Sequence, residues 1–111
     1  PSCANGICEW PHPITNSIEA LDYLERQVIE TDPRVVFIGC GGIGMPLANR
    51  LKKRGIIAIV VGGAIQVFFG IKGQRWANHP DISALWNEHW VSPSAEEVPN
   101  GARNIENGCY W

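Results

Sequence analysis

The residues best suited to ligand chemistry lie in the glycine-rich run Gly39-Cys40-Gly41-Gly42-Ile43-Gly44, which has the spacing G-x-G-x-x-G. Glycine permits a sharp turn and lets the backbone approach a ligand closely. At the start of a helix, the backbone N–H groups and the helix dipole favour a phosphate or a carboxylate. The run therefore predicts an anion site, and a tight ligand-free turn that packs a helix on a sheet is the alternative. The backbone groups of this predicted site belong to Gly39, Gly41, Gly42, Ile43 and Gly44.

A second glycine pair, Gly62-Gly63, and three polar side chains extend the predicted site. Both glycine runs follow strand-like segments, and ligands of open α/β sheets bind where parallel strands end. Gln66 is a candidate for a hydrogen bond to a base or a sugar, with capping of the turn as the alternative. Lys72 and Arg75 are candidates for binding phosphate, with packing on the ring of Trp76 or Trp90 as the alternative. Alanine at either position is predicted to weaken a phosphate-bearing ligand by about 1.5–3 kcal/mol.

The sequence identifies no nucleophile and no general acid or base, so the catalytic residues are unknown. Cys40 lies where a helix N-terminus would lower the pKa of its thiol, but filling a crowded turn as a small residue is the favoured role. Glu88 and His89 are candidate general bases, and a solvated helix face is the favoured alternative.

The spacing Cys3-x4-Cys8-x3-His12, with Cys109 as a fourth ligand, is loosely that of a zinc site. Structural zinc sites more often show two tight pairs of ligands. Free thiols in a reducing compartment are therefore favoured, and no metal is predicted.

Two strand-like segments and one helix-like segment position the first glycine run. The uninterrupted apolar character of residues 34–38 predicts a strand buried on both faces. Residues 45–54 predict a helix, in which Pro46 is tolerated because it lies in the first turn. Residues 56–61 predict a second strand, which a right-handed crossover places parallel and adjacent to the first.

Further elements complete the predicted fold. Asn16 is the predicted N-cap of a helix, with Glu19 completing a capping box, and Asp32-Pro33 ends that helix. Downstream, the sequence predicts a short helix over 64–69, a helix over 80–89 and a capping-box turn at Ser94-x-x-Glu97. The predicted fold class is a small Rossmann-like three-layer α/β fold, with a short parallel sheet flanked by helices. It covers residues 16–111, after an irregular arm over residues 1–15.

Length, charge and composition limit the function classes. A chain of 111 residues suffices for one core, and its 9 basic and 11 acidic residues lack the basic excess of nucleic-acid binding. The apolar segments are too short to span a bilayer, and no secretory leader is recognised, so a cytoplasmic location is expected. Five tryptophans in so short a chain predict a homo-oligomer that buries aromatic surface between its copies.

Several blocks of sequence together point to a family. They are G-C-G-G-I-G-M-P-L-A, V-G-G-A-I-Q-V-F-F-G-I-K-G-Q-R-W, N-E-H-W-V-S-P-S and N-G-C-Y-W. Residues 17–111 resemble a family of largely uncharacterised proteins found with bacterial polysaccharide genes and similar to glycosyltransferases of the GT-D type. The resemblance implies a Rossmann-like sheet, a nucleotide-sugar donor with its diphosphate at Gly41 to Gly44, and a chain equivalent to the C-terminal half of such an enzyme. The D-x-E motif that holds metal and nucleotide in GT-D enzymes has no counterpart in this sequence.

Three functions stay open. The first is a nucleotide-sugar-binding, glycosyltransferase-like domain. The second is a small NAD(P)-binding, dehydrogenase-type domain, although no acidic residue ends the second strand to bind a ribose. The third is a ligand-free oligomerisation module. For the first two functions, we expect the partner to be a small phosphate-bearing ligand.

Overall fold

A computed structural model describes residues 14–111, which divide into a first compact unit that ends at Gly62 and a second from Gly63 to Trp111. The first unit contains helix α1 (Ser17–Glu30), strand β1 (Val35–Ile38), helix α2 (Gly44–Lys53) and strand β2 (Ile57–Val60). The second contains the short helices α3 (Ile65–Phe68), α4 (Gln74–Ala77) and α5 (Pro80–Ser83), followed by single 3₁₀ turns. Within the described residues, no helix has the length and apolar character that crossing a bilayer requires.

The predicted N-cap of α1 is confirmed, with a small shift in its hydrogen bonds. The Asn16 side chain accepts the backbone N–H groups of Ile18 and Glu19, which satisfies two donors at the helix start. The Glu19 carboxylate accepts the N–H of Thr15, 2.8 Å away, instead of the N–H of the cap residue itself. The N-terminal turn of α1 is therefore closed one residue earlier than a capping box would close it.

The two predicted strands form a parallel pair. β1 and β2 are the two strands of one sheet, in the register that pairs Val35 with Ile57 and Ile38 with Val60. The N–H of Val61 donates to the carbonyl of Ile38 at 2.9 Å, so the pairing continues to the carboxyl ends of both strands. The described structure is thus a mixed α/β fold with a two-stranded parallel sheet packed against helices.

The core of the first unit lies on one face of this sheet. Leu21 from α1 and Leu47 and Leu51 from α2 pack with Ile38, and Leu51 has no exposed surface. The half-buried residues around this cluster are Leu24, Val28, Val36, Cys40, Ala48, Ile56, Ala58 and Val60. Both helices of the first unit therefore contribute to the same face.

The expectation of a strand buried on both faces is wrong. Val35 and Phe37 of β1 are 45% and 47% exposed, and Ile57 and Ile59 of β2 are 60% and 42% exposed. Successive side chains of a strand point to opposite faces, and α1 and α2 bury only the face of Ile38. A continuous apolar sequence indicates that neither face of the strand carries polar side chains. It does not indicate whether other elements cover both faces.

Ionic hydrogen bonds join the two helices at the edge of this core. The Glu25 carboxylate of α1 accepts from Arg50 at 2.9 Å and from Arg54 at 2.7 Å, both near the end of α2. The hydrogen bond from Arg54 is the main reason that the pKa of Glu25 lies below its ordinary value, and Arg50 lowers it further. These contacts fix how α1 lies along α2, and α2 carries the glycine run at its start.

In the second unit, the predicted short helix after the second glycine pair is confirmed as α3, but the predicted helix over 80–89 ends at Ser83. The Asn87 side chain accepts the N–H of His89 at 2.9 Å, a local bond that competes with helical hydrogen bonding. Glu88 and His89 consequently lie in a turn. The capping-box turn is confirmed. The Glu97 carboxylate accepts the backbone N–H of Ser94, and the Ser94 side chain accepts the backbone N–H of Glu97.

Candidate functional site

The first glycine run forms an open turn at the start of α2. Gly41–Ile43 form a 3₁₀ turn that leads directly into the helix at Gly44. Gly41 has a φ of +60°, a backbone conformation that favours glycine. The φ of Gly42 lies outside this left-handed region, so its backbone does not require glycine. A Cβ at either residue would meet no atom within 4 Å. The structure therefore leaves room beside the backbone at these two positions.

Gly44 has a different role from its neighbours in the same turn. Its N–H donates to the carbonyl of Gly41, so this predicted anion donor is already engaged. A Cβ at Gly44 would lie 3.3 Å from a methyl of Ile38 and 3.3 Å from a methyl of Val60, tighter than ordinary contact. Gly44 thus allows α2 to approach both strands. For this glycine, packing of the helix on the sheet is the role that the structure supports, instead of anion binding. Gly41 and Gly42 remain as candidate donors, since the first N–H groups of a helix have no partner within it.

The two remaining backbone positions of the predicted run differ in burial. Gly39 is exposed, and Ile43 is 7% exposed with its side chain in the interior. Gly62, at the end of the first unit, has a φ of +57° and open space where a Cβ would be. Because Val61 pairs with Ile38, Gly39 and Gly62 follow neighbouring positions at the carboxyl edge of the sheet. The first unit brings Gly39 and Gly62 to one sheet edge, as predicted.

Cys40 does not have the lowered pKa that its position before α2 predicts. Burial raises the pKa of the Cys40 thiol above its ordinary value, and the side chain packs against the core cluster. Cys40 is therefore a packing residue, the role that the sequence favours.

We expect the alkylation of Cys40 by iodoacetamide to reveal this raised pKa. The reaction consumes the thiolate, so the pH of half-maximal rate should lie higher in the native chain than in urea. Peptide mass spectrometry over a series of pH values measures both midpoints at Cys40 itself. A native midpoint at or below the midpoint in urea would show that the helix N-terminus activates the thiol after all.

In the second unit, Gly63 gives space to two side chains of that unit. A Cβ at Gly63 would lie 3.0 Å from Nη1 of Arg75 and 3.1 Å from Cε1 of Tyr110. The guanidinium of Arg75 lies over the Tyr110 ring, with 4.7 Å between its central carbon and the ring centroid. The absent side chain of Gly63 therefore makes room for a stacked arginine–tyrosine pair.

Gln66 bonds to neighbouring residues of the second unit through both ends of its amide. Its Nε2 donates to the carbonyl of Tyr110 at 2.6 Å, and its Oε1 accepts the indole N–H of Trp76 at 3.2 Å. Gly73 allows this approach, since a Cβ there would lie 2.6 Å from the Gln66 Oε1. These bonds hold the C-terminal aromatic residues against α3 and α4.

The two predicted phosphate-binding cations lie beside aromatic rings, as their alternative role requires, although the rings differ from those expected. Nζ of Lys72 is 5.8 Å from the centroid of the Trp86 ring, and Arg75 stacks on Tyr110. Arg75 also forms an ion pair with the Glu106 carboxylate. Phosphate binding by either cation stays a prediction, and Arg75 would have to exchange Glu106 for the ligand.

Sequence reasoning missed the cluster around Glu106. Glu106 and Tyr110 are four residues apart, a spacing that brings side chains together on a helical turn, but the sequence predicts no helix over this segment. The Tyr110 hydroxyl lies 3.1 Å from Oε1 of Glu106. Burial, together with the hydrogen bond to this carboxylate, raises the pKa of Tyr110 above its ordinary value.

The other reactive side chains of the described region form no catalytic arrangement. Glu88 and His89 are 87% and 86% exposed at their side chains, and Nε2 of His89 lies 3.7 Å from Oε1 of Glu88. Among residues 14–111, no group of three or more His, Cys, Asp or Glu side chains is placed to hold a metal ion. The Cys3, Cys8 and His12 set lies outside the described residues. Cys109, its suggested fourth ligand, is a half-buried free thiol.

Comparisons of the chain with protein-family models, with curated proteins and with solved structures find no match.

Proposed function

We propose that the first unit binds the phosphate of a nucleotide sugar at the backbone of Gly41 and Gly42. One observation carries the proposal: the glycine turn at the start of α2 is open on the side where a Cβ would be. The two glycines lie ahead of a helix of 10 residues, and the dipole of such a helix attracts an anion to its N-terminus. Exposed N–H groups there can approach phosphate oxygens without a side chain in the way.

The position of the turn in the sheet supports the same proposal. Gly39 and Gly62 follow β1 and β2 at the carboxyl edge, which is the ligand-binding edge of open α/β sheets. We extend the proposal to the fold: the first unit is a Rossmann-like half, in which a strand, a glycine turn, a helix and a parallel strand form the phosphate-binding portion.

A nucleotide sugar is the proposed ligand because of the sequence resemblance to GT-D-type glycosyltransferases. NAD(P) is the less favoured ligand, since residues 60–64 read V-V-G-G-A and offer no carboxylate for a ribose hydroxyl. The sequence also lacks the D-x-E motif of GT-D enzymes. We therefore propose a binding function for this chain and assign no catalytic residue to it.

The variant Gly42→Val tests the proposal. The added side chain enters open space at a residue that does not require glycine, so the fold should persist while the approach to the turn is obstructed. We expect the variant to bind UDP-glucose at least about tenfold more weakly than the wild type, or about 1.4 kcal/mol. Isothermal titration calorimetry with UDP-glucose, UDP and NAD measures the affinities and ranks the ligand classes.

Asn49→Val is the matched control, because Asn49 is an exposed residue of the same helix and lies away from the turn. It adds a similar apolar side chain and should bind UDP-glucose as the wild type does. Equal affinity of Gly42→Val and wild type would contradict the proposed site. Tighter binding of NAD than of UDP-glucose would favour the dehydrogenase-type alternative, and no binding of any ligand would favour the ligand-free module.

A further inference from the structure

Three hydrogen-bond donors of the second unit converge on the carboxylate of Glu106. The guanidinium of Arg75 forms an ion pair with its Oε2, and the thiol of Cys109 lies 3.6 Å from the same oxygen. The Tyr110 hydroxyl donates to Oε1 at 3.1 Å. A guanidinium and two further donors directed at one carboxylate are groups that can also donate to the oxygens of a small anion.

The Arg75 side chain is held in place by contacts other than Glu106. Its guanidinium stacks on the Tyr110 ring and lies against the open side of Gly63. Its backbone N–H donates to the carbonyl of Cys109 at 2.8 Å, which ties α4 to the segment that carries the two other donors. The donors would therefore keep their positions if the Glu106 side chain moved away.

Glu106 itself is poorly suited to remain there. Its side chain is 57% exposed, so a rotation into solvent needs no unfolding. An exposed ion pair of this kind adds little stability that would hold the Glu106 side chain in place.

We propose that Arg75, Tyr110 and Cys109 form a binding site for a phosphate group, and that the Glu106 carboxylate occupies this site when no ligand is present. A tetrahedral oxyanion presents several acceptor oxygens to the three donors, and a guanidinium pairs with phosphate as it does with carboxylate. The ligand displaces Glu106 by rotation of that side chain. This site uses no residue of the first unit, so it does not depend on the function proposed for Gly41 and Gly42.

Glu106→Gln tests the proposal in the full chain. The neutral amide no longer competes as an anion for Arg75, so inorganic phosphate should bind at least about tenfold more tightly than to the wild type. ¹H–¹⁵N NMR titration follows the backbone amide of Gly63 and the Nε–H of Arg75 as phosphate is added. Glu106→Ala is measured in parallel, because the glutamine amide can keep a hydrogen bond to Tyr110.

Two further variants decide the outcome. Glu96→Gln removes another exposed carboxylate of the second unit and should leave phosphate affinity at the wild-type value. Arg75→Ala on the Glu106→Gln background should abolish the phosphate-dependent shifts. The proposal is overturned if neither Glu106 variant binds phosphate more tightly than the wild type, or if the double variant still binds it.

Two titrations separate this site from the site proposed in the first unit. Gly42→Val on the Glu106→Gln background should leave the phosphate response of Arg75 unchanged. Uridine monophosphate, compared with inorganic phosphate, distinguishes a nucleotide-borne phosphate from the free ion. Loss of the Arg75 response in the Gly42→Val background would overturn the independence of the two sites.

Discussion

Leu51→Ala is expected to lower the free energy of unfolding by about 2–5 kcal/mol, the largest effect among the substitutions considered. Leu51 has no exposed surface and lies in the middle of the cluster formed by Leu21, Ile38 and Leu47. Truncation removes apolar contacts with both strands and with α1, and it leaves a cavity that rigid neighbours cannot fill completely. Urea unfolding monitored by far-ultraviolet circular dichroism measures the loss.

Leu85→Ala is the matched control, because it makes the same chemical change at a side chain that is 56% exposed. It should change the free energy of unfolding by no more than about 1 kcal/mol, since most of this side chain is already in contact with water. If both variants lose the same free energy, the core of the first unit does not lie where the structure places it.

The sequence predicted the first unit well because local signals there agree with one another. Asn16 and Pro33 bound α1, and the apolar residues of that helix recur at helical spacing. The glycine run and Gly55 mark the two ends of α2. The short apolar segments on either side of this helix are therefore predicted to be strands. A parallel pair follows from that length of connection. The error concerned Val35 and Phe37, because sequence pattern does not reveal how many layers cover a sheet.

The second unit was harder to predict because its organisation depends on contacts between residues distant in sequence. Gln66 bonds to the carbonyl of Tyr110, 44 residues later, and Arg75 pairs with Glu106, 31 residues later. No periodic pattern marks such contacts, and helices of four residues carry little propensity signal.

Oligomerisation through aromatic surface also stays a prediction. The four tryptophans that the structure describes are all half-buried within the chain. Phe68 and Phe69, at 63% and 64% exposed, are the more exposed aromatic side chains. Any interface between copies is therefore better sought at these phenylalanines than at the tryptophans on which the prediction depends.

Gly44→Val is expected to lower the free energy of unfolding by about 1–3 kcal/mol, through overpacking between α2 and the sheet. The φ of Gly44 is −62°, a helical value, so a side chain brings no backbone strain and the cost comes from collision alone. Its Cβ would already lie 3.3 Å from Ile38 and from Val60, and the two methyl groups of valine extend further into the same space. Urea unfolding under the conditions used for Leu51→Ala measures the effect.

Gly42→Val makes the same change two residues earlier, where the space is open, and it should leave the free energy of unfolding within about 0.5 kcal/mol of the wild type. Together the two variants distinguish the two explanations for a glycine run between a strand and a helix. If Gly44→Val loses stability while Gly42→Val loses only ligand affinity, one glycine packs the helix and the other leaves room for an anion. If both lose stability alone, the whole run serves packing, and the anion site in the first unit is excluded.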